Sequence, residues 1–205
     1  MVILRTGYLE LTLPLEPAVT VHFDAFEDGL AAARCGNYTA AIRLWRPLAE
    51  QGDAALQNIL GLMHTEGRGV PQDHAKAVMW YRAAAEQGDA NAQYNLGVMY
   101  VAGRGVPKDL AEAAKRWREA AEQGKAAAQV GLGLLYAQGI GVPQDLVQAQ
   151  MWFTISAAQG NKMALEARGR LDRVMTPNQI VEAQRITREW EAKCVVSELL
   201  ETHRQ

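Results

Sequence analysis

Residues 89–124 read DANAQYNLGVMYVAGRGVPKDLAEAAKRWREAAEQG, and close variants of this string flank it on both sides at a constant interval. A shift of 36 residues superposes Gly52, Gly88, Gly124 and Gly160 without an insertion, each preceded by a glutamine: Gln51, Gln87, Gln123 and Gln159. The same shift aligns Leu60-Gly61 with Leu96-Gly97 and Leu132-Gly133. It also aligns the loops 67–71, 103–107 and 139–143, and the aspartates Asp73, Asp109 and Asp145. A fixed period of this length marks stacked supersecondary units, none of which buries its apolar face alone.

Within the quoted unit the pattern resolves into two helices, A and B. Ala92, Leu96, Met99 and Tyr100 recur at helical spacing and predict helix A over 90–102. Gly103 ends it by taking left-handed backbone at no steric cost, and Pro107 cannot donate the next backbone bond. Asp109 restarts the chain as an N-cap, with Glu112 placed to complete a capping box. Asp145 with Gln148 repeats that pair, and Asp73 with Lys76 keeps only the cap. Helix B then runs to about Gln123, turns Ala113, Trp117, Ala120 and Ala121 inward, and stops at Gly124. Gly61, Gly97 and Gly133 lie inside helix A, where glycine costs roughly 1 kcal/mol relative to alanine, so their recurrence calls for a steric benefit. Close approach of A and B supplies it. The pairs Ala84-Ala85, Ala120-Ala121 and Ser156-Ala157 let helix B approach its neighbours, and Tyr81, Trp117 and Phe153 are expected to fill the space between units.

The ends differ from the middle, as the terminal units of a solenoid must. Asp24 to Cys35 and Tyr38 to Gln51 read as a shorter helix pair, with Trp45 in the place of Tyr81. Thr176, Pro177 and Gln179 read as N-cap, first helical residue and box partner of a long final helix, with Met175 and Ile180 as a hydrophobic staple. Its stripe of Ile180, Ala183, Ile186, Trp190 and Cys194 is expected over the last repeat, leaving Glu182, Arg185, Arg188 and Glu189 in water. The expected division is an irregular leader over 1–21, an N-terminal capping pair over 22–52, three repeats over 53–160, and a partial repeat with a capping helix over 161–205. Within the leader Tyr8 to Leu13 partly alternates like a strand. Glu10, Pro14, Glu16 and Pro17 interrupt the unbroken apolar run that a signal peptide needs, which favours the cytoplasm, with the periplasm as the alternative.

The chain has 205 residues and a net charge of −2, which gives no global attraction to nucleic acid or anionic lipid. No apolar run reaches the length of a membrane span. Cys35 and Cys194 have no ligand or disulfide spacing and read as small buried hydrophobes. The four histidines lack metal-site spacing, so neither a metal nor a cofactor is expected. His64 falls at the register of Tyr100 and Tyr136 and reads as a hydrogen-bonded core histidine. Arg68 and Arg104 are expected in solvent. Arg168, Arg170 and Arg173 form the local cationic cluster, partly neutralised by Glu166 and Asp172. No nucleophile, base and oxyanion donors converge, and an enzyme is not expected.

Taken together, the string DANAQYNLGVMYVAGRGVPKD followed by AAEQG resembles a Sel-one-like repeat, a relative of the tetratricopeptide repeat whose L-G-x-x-Y element is matched by Leu96, Gly97 and Tyr100. The resemblance covers about 36–160 strongly and the ends loosely. It implies an all-α fold, a right-handed alpha-alpha superhelix that scaffolds complexes, often in bacterial signalling, envelope or secretion pathways. Secreted relatives with a disulfide in every repeat have been credited with β-lactam binding, and this chain lacks their paired cysteines.

In tetratricopeptide arrays the inner groove is lined by helix A positions two, five, nine and twelve. Carried over, these are Ala55, Asn58, Leu62 and Thr65; Asn91, Tyr94, Val98 and Val101; Ala127, Val130, Leu134 and Ala137; then Met163, Glu166, Arg170 and Arg173. The groove is apolar in its middle, which suits a helix or apolar stretch of a partner protein, with Tyr94, Val98, Val130 and Leu134 as the central anchors. The alternative is a self-associating structural protein, a monomer or weak homodimer whose groove is covered by its own C-terminal helix or a second copy.

Overall fold

The computed structural model describes the backbone of residues 18–202 and the side chains of 25–193. All the regular structure described there is helical: α1 (Ala18–Arg34), α2 (Tyr38–Glu50), α3 (Ala54–Glu66), α4 (His74–Glu86), α5 (Ala90–Ala102), α6 (Leu110–Glu122), α7 (Ala126–Gln138), α8 (Leu146–Ala158), α9 (Lys162–Leu171) and α10 (Pro177–Thr202). Consecutive helices pack as hairpins, α3 on α4, α5 on α6 and α7 on α8, and each hairpin leans on the next. Helix α1 begins at Ala18, so residues 18–21 are helical where an irregular leader was expected. The strand expected over Tyr8 to Leu13 lies outside the described residues.

Helix A of the quoted unit occupies the expected span, with Ala92, Leu96 and Met99 buried and Tyr100 half-buried. In helix B, Ala113, Trp117, Ala120 and Ala121 are all buried. Gly67, Gly103 and Gly139 close the A helices with φ of 71°, 63° and 67°, the left-handed backbone their positions demanded.

The mid-helix glycines have a definite purpose. A Cβ on Gly61 would lie 2.5 Å from the Tyr81 ring, one on Gly97 2.4 Å from the Trp117 indole nitrogen, and one on Gly133 2.6 Å from the Phe153 ring. Gly29 receives Trp45 in the same way, although its hairpin has a shorter loop. The ring on helix B therefore seats chiefly on the glycine of its own hairpin, which corrects the expectation that these rings fill the space between units. Trp117 does both, since its far edge reaches Gly131 of the next hairpin.

A second ladder runs beside the rings. Buried Gln57 donates to the Ala49 carbonyl at 2.9 Å and accepts from Gln87 at 2.8 Å, which ties α2, α3 and the end of α4 together. Gln93 with Gln123 and Gln129 with Gln159 repeat the link one period on each time. Buried amides satisfied in this way cost little, whereas one left unpaired costs about 1–3 kcal/mol, so the ladder fixes the stacking register.

The capping boxes expected at Asp109 and Asp145 do not form. Each aspartate caps its helix, but its own amide N–H donates to the Tyr100 or Tyr136 carbonyl of the preceding helix, so a box partner has nothing to accept. Glu112 instead pairs with Arg116 at 2.8 Å. The box at Thr176 and Gln179 is complete, with bonds of 2.9 and 3.3 Å, and Met175 and Ile180 share one apolar cluster.

Two further expectations change. Cys35 follows α1 and is exposed, because the chain there turns through solvent, and the Cys194 side chain lies outside the described residues. Arg68 is not merely solvated: it pairs with Glu66 at 2.7 Å and lies over the Tyr38 ring. His64 is buried as expected; its Nδ1 has no hydrogen-bond partner, and its ring interacts with the Pro71 backbone. Burial, with Lys76 and Arg46 adding positive charge, holds its pKa below the usual histidine value. Its successors bond an arginine of the preceding hairpin, Tyr100 with Arg82 and Tyr136 with Arg118.

Candidate partner-binding groove

The groove positions fall on helices α3, α5, α7 and α9, except Arg173, which lies in the turn after α9, and the one-period spacing places equivalent side chains side by side along the stack. Leu62, Val98 and Leu134 are 41%, 37% and 39% exposed, although apolar. They occupy the same position of successive A helices and form an apolar row open to solvent. Asn91 is exposed, and Asn58 and Val101 are half-buried. Asn58 accepts from Asn95 at 3.0 Å, a bond that crosses from α5 to α3 along the row. Thr65 spends its hydroxyl on the Gly61 carbonyl and on Tyr81.

Two of the four expected anchors are not free. Val130 is 6% exposed and belongs to the buried cluster of Phe153, Ala164 and Leu171, because α9 packs beside the end of the array. It is core. Tyr94 is half-buried, stacked on Trp117 at 6.2 Å between ring centres. The open large apolar groove residues are therefore Leu62, Val98 and Leu134, with Met163 exposed at the far end. Arg170 and Arg173, at the far end, are exposed. Glu166 pairs with Arg170 at 3.5 Å, while Asp172 accepts from Gln150 and neutralises no arginine of the cluster.

Lys125 was missed. Its ammonium donates to Asn91 at 2.5 Å and sits 6.0 Å from the centre of the Tyr94 ring, so it brings a cation to the row. The signal was in the sequence: Asp53, Asp89 and Asn161 cap their helices, and Lys125 alone breaks that series and makes no side-chain cap. A cation at a helix N-terminus opposes the helix dipole, so its presence there answers to something other than α7 stability.

Helix α10 packs on α8, with Trp190 edge-on to Trp152 at 5.9 Å. Ala183 is buried, and Ile180, Ile186 and Trp190 pack against the core, which is the expected stripe over the last repeat as far as Trp190. Leu62, Val98 and Leu134 are left exposed, so the described part of α10, through Lys193, does not cover the row. No described helix is long and apolar enough to cross a membrane, and among the described residues no three His, Cys, Asp or Glu gather as a metal site.

A family model described as Sel1 repeat matches residues 24–53, 54–89, 90–125 and 126–161, so it counts the N-terminal pair as a repeat. The crystal structure of a Sel1 repeat protein from Oxalobacter formigenes is similar at 35% identity and a TM-score of 0.67, over 70% of this chain and 59% of that one. That of c5321, a protective antigen present in uropathogenic Escherichia coli strains displaying an SLR fold, is similar at 38% identity and a TM-score of 0.72, over 86% of this chain and 38% of that one. A stretch of 76 residues is 37% identical to DAP3-binding cell death enhancer 1 of Rattus norvegicus, covering 33% of this chain and 15% of that protein. The chain thus spans only part of the length of each of these relatives.

Proposed function

Because the chain belongs to the Sel1 repeat family, we propose that it is a non-catalytic scaffold that holds an apolar segment of a partner protein along Leu62, Val98 and Leu134. Sel1 repeat proteins generally act as protein–protein interaction scaffolds. The observation that carries the finer reading is the row itself, three apolar side chains left exposed at one register while Leu60, Leu96 and Leu132, two residues earlier on the same helices, are buried. Contiguous exposed apolar surface on an ordered array marks an interaction site, and equal spacing along the stack suits an extended or helical segment with repeating apolar residues. Lys125 at the middle and Arg170 and Arg173 at one end favour a segment that also carries acidic side chains.

The double substitution Val98→Asp with Leu134→Asp tests this. Affinity capture from the cells that make the protein should return a stoichiometric partner with the parent chain and lose it with the variant, at least tenfold, while helicity and melting stay unchanged. An unchanged set of captured proteins would refute the groove, and unfolding of the variant would make these side chains core.

A further inference from the structure

The register also shows where the array stops being regular. In α9, Arg168 stands where Leu60, Leu96 and Leu132 stand, and Asp172 where His64, Tyr100 and Tyr136 stand. In α8, Gln150 takes the place of Ile42, Val78 and Ala114. Helix α10 packs on α8 rather than pairing with α9 as a helix B would, and the Gly169 socket, equivalent to Gly133, has nothing within 4 Å. What these changes leave is a cleft of about 370 Å³ between α8, α9 and α10, lined by Gln150, Arg168, Asp172, Arg188 and Glu191 among others. Small-molecule sites begin at roughly 300 Å³.

The charges in the cleft are arranged unusually. Arg168 in the last turn of α9 and Asp172, its C-cap, lie one turn apart, as do Arg188 and Glu191 on α10. Helical neighbours of opposite sign commonly pair, as Arg185 does with Glu182 at 2.6 Å. Among the described residues none of these four makes an ion pair. Asp172 is held by the Gln150 amide at 2.5 Å. The cleft therefore offers two guanidiniums and two carboxylates outside any ion pair, a neutral lining with both signs available, and Arg168 stands at a register position that is leucine in the three repeats.

We propose that this cleft binds a small zwitterion, a free amino acid or a dipeptide, with its carboxylate toward Arg168 and Arg188 and its ammonium toward Asp172 and Glu191. Guanidinium forks match a carboxylate, and a ligand carrying both charges satisfies all four groups without leaving net charge in the cleft. The site shares no residue with the groove row, so it stands or falls independently of the scaffold reading.

Isothermal titration of the full chain with the common L-amino acids and with dialanine tests it, and the two arms separate the two sources. At least one should bind saturably, and its N-acetylated and C-amidated forms should each bind at least tenfold more weakly. Arg188 is exposed, so Arg188→Ala should keep the melting temperature and weaken binding at least tenfold. Arg168→Leu, which restores the register, should abolish binding and leave the protein folded by circular dichroism. Absence of saturable binding by every probe, equal binding of the blocked forms, or full binding by Arg188→Ala would overturn the proposal.

Discussion

At the scale of the residue, one glycine register gives opposite answers in two places. Gly97→Ala pushes a methyl group against the Trp117 indole, and overpacking of this kind costs about 1–3 kcal/mol, more than the roughly 1 kcal/mol of helix propensity gained. Gly169→Ala meets open space and keeps the gain. Urea denaturation should therefore show Gly97→Ala destabilised and Gly169→Ala stabilised by about 0.4–1 kcal/mol; two changes of the same sign would contradict the ring-in-socket account. The sequence made the need for a steric benefit legible through the recurrence of Gly61, Gly97 and Gly133. The partner ring was not legible, because spacing does not say whether Trp117 turns toward its own hairpin or the next. The glutamine ladder was half legible: Gln87, Gln123 and Gln159 stood out beside their glycines, whereas Gln57, Gln93 and Gln129 looked like ordinary polar helix positions until burial revealed them.

At the scale of the element, helix bounds followed closely from local chemistry. Asp89 and Gly103 bracket α5 because a cap and a left-handed glycine act within a few residues. The boxes at Asp109 and Asp145 failed because their amides are taken by carbonyls of another helix, a tertiary competitor that no local pattern announces. Val130 misled for the same kind of reason, since its groove register holds but α9 happens to cover it. Lys125 offers a direct test. Its backbone, φ −66° and ψ 100°, is already that of the capping aspartates Asp53 and Asp89. Lys125→Asp should supply the missing cap and raise stability by about 1 kcal/mol in urea denaturation. No gain would mean that the Asn91 and Tyr94 contacts matter to α7 as much as a cap does.

At the scale of the molecule, stability is a property of neighbours. Each hairpin contacts the one before and the one after, through the amide ladder, the loop glycines and the Trp117 edge on Gly131: a Cβ on Gly105 would lie 2.2 Å from the His74 carbonyl oxygen of the preceding hairpin. The solenoid was legible because the period repeats without insertion. The end of the array was less so, because α10 departs from the register just where the periodic argument stops applying. The groove row inherits its geometry from this stacking, so the functional reading depends on the hairpins being interchangeable. Deleting residues 89–124, one whole period, joins Gly88 to Lys125 and presents α7 to α4 as α5 was presented. Thermal unfolding followed by circular dichroism should then show a shorter, fully helical protein that melts in a single transition at a lower temperature; loss of the helical signal at room temperature would contradict nearest-neighbour stacking.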